Sequence, residues 1–129
     1  MSIRVYFEDT DAGGVVYYAN YLRFCERART EWLRAKGFSQ QALIDESAIA
    51  FVVRRLAADY RGSARLDDEL EILTSIERIG GASIVFAQRV QRGPSCLFEA
   101  RVTVACIDLG KHAATAIPMA IRQRLSSPH

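Results

Sequence analysis

The chain has 129 residues, the size of one domain, and 50% of them are hydrophobic, enough for a true core and too many for wholesale disorder. With 17 Lys and Arg against 15 Asp and Glu the net charge is only +2, which argues against nucleic-acid binding with its one-sided basic excess. No apolar run approaches the roughly 20 residues that span a bilayer, and the opening Met1-Ser2-Ile3-Arg4-Val5 lacks a signal-peptide apolar segment. The expectation is a cytoplasmic protein without membrane insertion.

A short first strand is expected over residues 3–7, followed by a Gly-containing turn over 8–19. From Asn20 to about Lys36 the period becomes helical. Tyr21, Phe24, Cys25, Ala28, Trp32 and Ala35 fall on one face, and Arg23, Glu26, Arg27, Thr30 and Arg34 lie away from it. Asn20 is placed to cap this helix and Gly37 to end it. Glu26, Arg27, Arg29 and Glu31 have the spacing of surface ion pairs. Ser39 caps a second, short helix through Leu43 and Ile44.

After Ala48 the pattern is that of strands. Residues 49–61 form one long strand, 70–77 and 83–91 form a pair around the Gly80-Gly81 turn, and 96–107 follow the turn Arg92-Gly93-Pro94-Ser95. In the last run Phe98, Ala100, Val102, Val104 and Cys106 alternate with Glu99, Arg101, Thr103, Ala105 and Ile107. A short strand near Ala113–Ile117 and a terminal helix opened by Pro118, carrying Met119, Ile121 and Leu125, complete the chain. A helix with one broad apolar face needs a sheet to cover it. The predicted architecture is α+β: one domain over residues 1–129, a long helix wrapped by a curved antiparallel sheet of about five or six strands. The sheet's two edges favour association with another subunit.

Cys25, Cys96 and Cys106 are odd in number, far apart and set in apolar patterns, so no disulfide framework is expected. Neither a C-x-x-C pair nor a His-rich cluster offers a zinc site. His112 in a turn and His129 at the end have the marks of surface residues. A Ser-His or Cys-His nucleophile pair therefore has few candidates.

The segment Thr10-Asp11-Ala12-Gly13-Gly14-Val15-Val16-Tyr17-Tyr18-Ala19-Asn20-Tyr21 concentrates the chemistry. Asp11 stands before a flexible turn, and a helix N-terminus with free N–H groups follows. Such donors polarise a carbonyl and hold an oxyanion. Asp11 can serve as general base for water or as nucleophile. With no histidine to protonate a leaving group, a thioester suits the site best, because a thiol of pKa about 8.5 leaves as thiolate unaided. The alternative is structural: an Asp before Gly-Gly forms a turn by bonding backbone two residues on. The Tyr17, Tyr18 and Tyr21 cluster is likewise open to a core or interface role.

The same segment, with Arg4-Val5, resembles the signature of the 4-hydroxybenzoyl-CoA thioesterase family of hotdog-fold proteins. Phe24-Cys25-Glu26-Arg27-Ala28-Arg29-Thr30-Glu31, Phe51-Val52-Val53-Arg54-Arg55 and Ala64-Arg65-Leu66-Asp67-Asp68 resemble the acyl-CoA thioesterases associated with the bacterial Tol-Pal envelope system. The likeness covers nearly the whole chain. It implies a hotdog fold, hydrolysis of acyl-CoA without metal or organic cofactor, Asp11 as the catalytic carboxylate, and the Tyr18 backbone N–H as carbonyl donor. It also implies homodimers or homotetramers joined through sheet edges, with sites at the interface. Gly13, Gly14, Val15 and Tyr17 would line the substrate. Among Arg54, Arg55, Arg61, Arg65, Arg89 and Arg92, we single out Arg54 and Arg65 for the coenzyme A phosphates. Acyl carrier protein is the other carrier to consider. One position departs: close subgroup members often carry histidine where Tyr18 stands, although tyrosine occurs there in the wider family. A phenol of pKa about 10 donates a hydrogen bond but is a poor base at neutral pH. Two other readings keep the fold: a dehydratase, which needs a well-placed histidine, and a non-catalytic module binding acyl-CoA or acyl carrier protein.

Overall fold

The computed structural model describes residues 1–126. The strands are β1 (Ser2–Arg4), β2 (Ile49–Tyr60), β3 (Glu69–Ile79), β4 (Ser83–Arg92), β5 (Ser95–Asp108) and β6 (Ala113–Ala114). The helices are α1 (Asn20–Ala35), α2 (Gln40–Ser47) and α3 (Met119–Ser126). All strand pairs are antiparallel, in the order β1-β3-β4-β5-β2, with β6 beside β5. The sheet therefore has β1 and β2 as its outer strands, and α1 lies against β3 and β4.

The sheet curls because three strands carry an extra residue. The pairing register shifts between Val53 and Arg55, between Ile76 and Arg78, and between Val90 and Gln91. Arg54, Glu77 and Leu97 are the residues passed over. Bulges bend a strand and increase its twist, which lets the inner face close around α1. That face supplies Leu70, Ile72, Ile84, Phe86, Val90, Phe98, Val102 and Cys106 to the core. The helix contributes Tyr21, Phe24, Cys25, Ala28 and Leu33.

Several expectations need correction. The first strand ends at Arg4, and a single 3-10 turn occupies Phe7–Asp9. Val5 hands its hydrogen bonds to the loop before β3: its N–H donates to the Asp68 carbonyl and its carbonyl accepts from Asp67. Leu33 is buried on α1 and Ala35 is exposed, so the buried stripe drifts around the helix instead of holding one line. Met119 is exposed on α3, while Ile121 and Leu125 are buried. Only Ala113–Ala114 of the expected 113–117 strand pairs. Gly37 does end α1, with φ of 93°, and Ser39 Oγ accepts the Ala42 N–H at 3.1 Å to cap α2. His129 lies outside the described residues.

Polar groups in the core are bonded. Gln88, buried on β4, donates through Nε2 to the Cys25 carbonyl (2.9 Å) and to Thr74 Oγ1 (3.0 Å), and its Oε1 accepts from Arg29 Nη1 at 2.8 Å. Arg29 thus ties the helix to the sheet instead of joining a surface ion pair. On the exposed side, Glu31 pairs with Arg34.

The 61–68 loop is closed by Asp68. Its Oδ2 accepts from the Arg65 N–H at 2.9 Å and from Arg92 Nη1 at 2.9 Å. Burial pushes the Asp68 carboxyl up, but the Arg65 N–H and the Arg92 guanidinium outweigh it and hold the group below the ordinary carboxylate range. A carboxyl depressed in the folded state stabilises the fold above its unfolded pKa of about 3.9, and that contribution is lost as pH falls through the lower folded value. Urea denaturation of wild type and Asp68→Asn is expected to give a stability gap at pH 7 that narrows progressively below about pH 4. A gap independent of pH would contradict this linkage.

Candidate active site

Residues 9–17 form a small hairpin that leads into α1. The Tyr17 N–H donates to the Asp9 carbonyl at 3.0 Å, the Asp11 N–H donates to the Val15 carbonyl at 2.9 Å, and Thr10 bridges Val16. At the tip, the Gly14 N–H donates to the Asp11 carbonyl at 3.0 Å. Gly14 has φ of 77°, a left-handed conformation that side chains resist. A Cβ on Gly13 would stand 3.2 Å from Asp11 Oδ1, so the turn leaves little room beside the carboxylate.

The Asp11 carboxylate is divided in role. Its Oδ1 accepts the Gly13 N–H at 2.8 Å, the bond to backbone two residues on that the turn reading requires. Among the described residues its Oδ2 has no hydrogen-bond partner, and the side chain is exposed. The turn orients the carboxylate and leaves one oxygen for a water or an acyl carbon. The glycine N–H groups are occupied within the hairpin, so Gly13 and Gly14 shape the loop and do not offer donors to a ligand.

The helix mouth is not capped as expected. Ala19, already helical at φ −66° and ψ −21°, precedes the first helical residue, and Asn20 is that residue. The first turn is tied off by tight bonds: Asn20 N–H to Tyr17 carbonyl, Tyr21 N–H to Tyr18 carbonyl, and Leu22 N–H to Ala19 carbonyl. The N–H groups of Tyr18 and Ala19 donate to no acceptor among the described residues. These are the helix-mouth donors available to a carbonyl oxygen.

Asn20 works backwards instead. It is buried, and its Nδ2 donates to the Asp9 carbonyl at 2.9 Å, the same oxygen that accepts from Tyr17. Tyr21 extends the link. Its hydroxyl accepts the Ala64 N–H at 2.8 Å, and the Ala64 carbonyl accepts the Val16 N–H at 2.8 Å. Val15 bridges Arg65. The hairpin is thereby fastened to the helix on one side and to the 61–68 loop on the other.

Asp11, Gly13, Gly14, Val15, Tyr17 and Tyr18 come together on this hairpin and helix mouth, with Arg65 beside them. Arg54 does not join them. It sits at the bulge of β2, about 20 Å along the strand from Tyr60 at 3.3 Å per residue. Arg61 and Arg89 both pair with Glu99, at 2.7 and 3.2 Å, and Arg92 pairs with Asp68. Among the described residues Arg54, Arg55 and Arg65 make no ion pair. Burial pushes the Cys25 thiol up to about 11, so it stays protonated at neutral pH and is no nucleophile. Among the described residues no group of three His, Cys, Asp or Glu could hold a metal ion.

Sequence reasoning overlooked Tyr60 and the strap role of Asn20. Tyr60, the last residue of β2, stands edge-on to Tyr18 with ring centroids 5.9 Å apart. Its aromatic ring at the end of a strand was the one available signal. The Asn20 bond reaches back eleven residues to a main-chain oxygen, and such an acceptor leaves no mark in a side-chain pattern.

The profile of the thioesterase-like superfamily matches residues 5–125. The chain belongs to that superfamily. Among its thioesterase-like relatives, the acyl-CoA thioesterase YbgC of Haemophilus influenzae is 52% identical over 120 residues, 93% of this chain and 88% of the relative. The acyl-CoA thioester hydrolase YbgC of Escherichia coli O6:H1 is 53% identical over 120 residues, 92% of this chain and 89% of the relative. The crystal structure of a probable thioesterase from Bartonella henselae superposes with a TM-score of 0.87 at 37% identity, covering 92% of this chain and 97% of that one. The wrapped helix described above is the hotdog fold of these thioesterases.

The strap is directly testable. Asn20→Asp preserves shape but turns the donor into an acceptor facing the Asp9 carbonyl. The substitution is expected to cost about 1–3 kcal/mol in urea denaturation at pH 7. An unchanged midpoint would show that the bond carries no net stability.

Proposed function

We propose that this chain is a cytoplasmic acyl-CoA thioesterase that cleaves an acyl-CoA thioester to the free acid and coenzyme A. The identity to the Haemophilus influenzae enzyme over nearly the full chain carries the reaction class. The unbonded Asp11 Oδ2 beside a helix mouth with two free N–H groups supports the residue assignment.

In the base-assisted route, Asp11 takes a proton from a water whose oxygen attacks the thioester carbonyl. The Tyr18 N–H holds the resulting oxyanion. Collapse breaks the carbon–sulfur bond and expels the thiolate, which needs no acid because its conjugate thiol has a pKa of about 8.5. In the covalent route, Oδ2 attacks the carbonyl, the thiolate leaves, and water then hydrolyses the mixed anhydride. The Tyr18 phenol is assigned no proton in either route. Gly13 and Gly14 set the carboxylate in place, Val15 and Tyr17 flank it, and Arg65 faces the coenzyme phosphates.

The active form is a homodimer or homotetramer. The support is β2, a long outer strand with one edge unpaired among the described residues. Arg54, on that same free edge, reaches a site only across such an association. Acyl carrier protein is an alternative donor of the acyl group. The likeness of residues 24–31 to the Tol-Pal-associated subgroup supports an envelope-linked role within the superfamily, and the hairpin motif supports kinship to the 4-hydroxybenzoyl-CoA branch.

Asp11→Asn keeps an oxygen that can accept the Gly13 N–H, so the hairpin survives while the charge is lost. Free-thiol release from a panel of acyl-CoAs is expected to fall at least about 100-fold in the variant. Equal turnover in both proteins would sink the Asp11 mechanism. No turnover by either, together with tight acyl-CoA binding, would favour the binding module. Sedimentation is expected to give a dimer or larger species at micromolar concentration, and a stable monomer would contradict an interface site.

A further inference from the structure

From Val53 onward, the face of β2 that is turned toward the core stands open. Residues directly opposite in an antiparallel pair share a face. Tyr60, Ala58, Leu56 and Val53 are opposite Phe98, Ala100, Val102 and Val104 of β5, and those four are buried. Their β2 partners are not: Tyr60 is 47% exposed, Leu56 41% and Val53 53%. The cause is the position of α1 over β3 and β4, which leaves β2 uncovered beyond the part that meets α2. The result is an apolar trough along the strand.

Tyr60 stands at the end of the trough next to the helix mouth. Its ring meets Tyr18 at 5.9 Å, Tyr21 at 5.9 Å and Phe98 at 4.8 Å, each in an edge-on or steeply tilted arrangement. Tyr21 is itself stacked on Phe98 at 5.3 Å, and its hydroxyl is fixed by Ala64. The Tyr60 ring is therefore held by helix and sheet together, in a geometry that aromatic pairs favour. Among the described residues the Tyr60 hydroxyl has no hydrogen-bond partner, so nothing polar explains the ring's placement.

We propose that Tyr60 determines acyl specificity: its ring stops the acyl chain of a thioester held at the Tyr18 N–H, admits short chains, and bars longer ones from the trough floored by Ala58, Leu56 and Val53. This rests on the thioesterase reading above. A chain leaving the carbonyl carbon at the helix mouth meets the Tyr60 ring first, and the apolar surface that would suit more methylenes lies behind it. A site of this kind discriminates by excluding volume.

The test is kcat/KM for butanoyl-CoA, octanoyl-CoA and dodecanoyl-CoA with wild type, Tyr60→Ala, Tyr60→Leu and Tyr60→Phe. Wild type is expected to prefer butanoyl-CoA. Tyr60→Ala is expected to raise the dodecanoyl-to-butanoyl ratio at least about tenfold, Tyr60→Leu to raise it less, and Tyr60→Phe to retain the wild-type ratio. Thermal unfolding of each variant accompanies the assay, and Tyr60→Leu carries the comparison if the alanine variant does not fold. A wild type that already prefers dodecanoyl-CoA overturns the proposal. An equal fall on all chain lengths in Tyr60→Ala and Tyr60→Leu marks a structural role and also overturns it. Absence of turnover by wild type on every acyl-CoA defeats the thioesterase reading and the proposal with it, whereas retained butanoyl-CoA cleavage with an unchanged ratio defeats the proposal alone.

Discussion

The carbonyl oxygen of Asp9 is the joint on which the rest depends. It accepts from the Tyr17 N–H, which closes the hairpin, and from Asn20 Nδ2, which belongs to the helix. One oxygen thus sets the angle between the Asp11 turn and the axis of α1. A backbone oxygen with two lone pairs can take both bonds without competition. The joint is part-buried, where a lost partner costs more than at the open surface. From it the chain of contacts continues through the Tyr21 hydroxyl to Ala64, back to Val16, and onward through Asp68 to Arg92 on β4. Helix, hairpin, loop and sheet are held as one frame, with the carboxylate at its exposed tip.

Much of the frame was legible in the sequence. Gly80-Gly81 and Gly93-Pro94 marked the strand turns, and the alternation of Phe98 to Cys106 was strong enough to give both the strand and its buried face. Gly37 and Ser39 marked a helix end and a helix start because backbone conformation and capping chemistry leave side-chain signatures. The misreadings have physical causes. Asn20 is a common capping residue, but the preceding Ala19 is already helical, so its side chain was free for another acceptor. Ala35 and Leu33 exchanged places because a helix of 3.6 residues per turn does not keep one stripe over several turns.

The site was legible as a motif and less so as a geometry. Asp11 invited two readings, a turn and a catalytic group, which a single sequence presents as rivals. In the fold the two need not compete, since Oδ1 makes the turn and Oδ2 has no hydrogen-bond partner among the described residues. Arginine at 54 and arginine at 65 looked equivalent as phosphate ligands. The hairpin bridge puts Arg65 beside Val15, whereas the length of β2 carries Arg54 far away. Tyr60 was not legible, because its neighbours Tyr18, Tyr21 and Phe98 lie about 40 residues away along the chain on either side.

Residues 49–61 read as one long strand, as β2 proves to be, but the bulge at Arg54 hides which of its residues face the core. Before it, the core-facing residues are Phe51 and Val53; after it they are Leu56, Ala58 and Tyr60. The odd-numbered set gives way to the even-numbered set, like a wave that skips half a cycle. Averaged over the strand, the two halves cancel and the segment shows no period of two. The extra residue therefore acts as a phase marker. It lets the half of β2 near α2 stay in step with the core, while the other half turns Leu56 and Tyr60 to one face, with the Tyr60 ring beside Tyr18. The strand has two reading frames, and the lengths on either side of the bulge are under separate constraint: one half packs into the core, and the other leaves its core-facing side open.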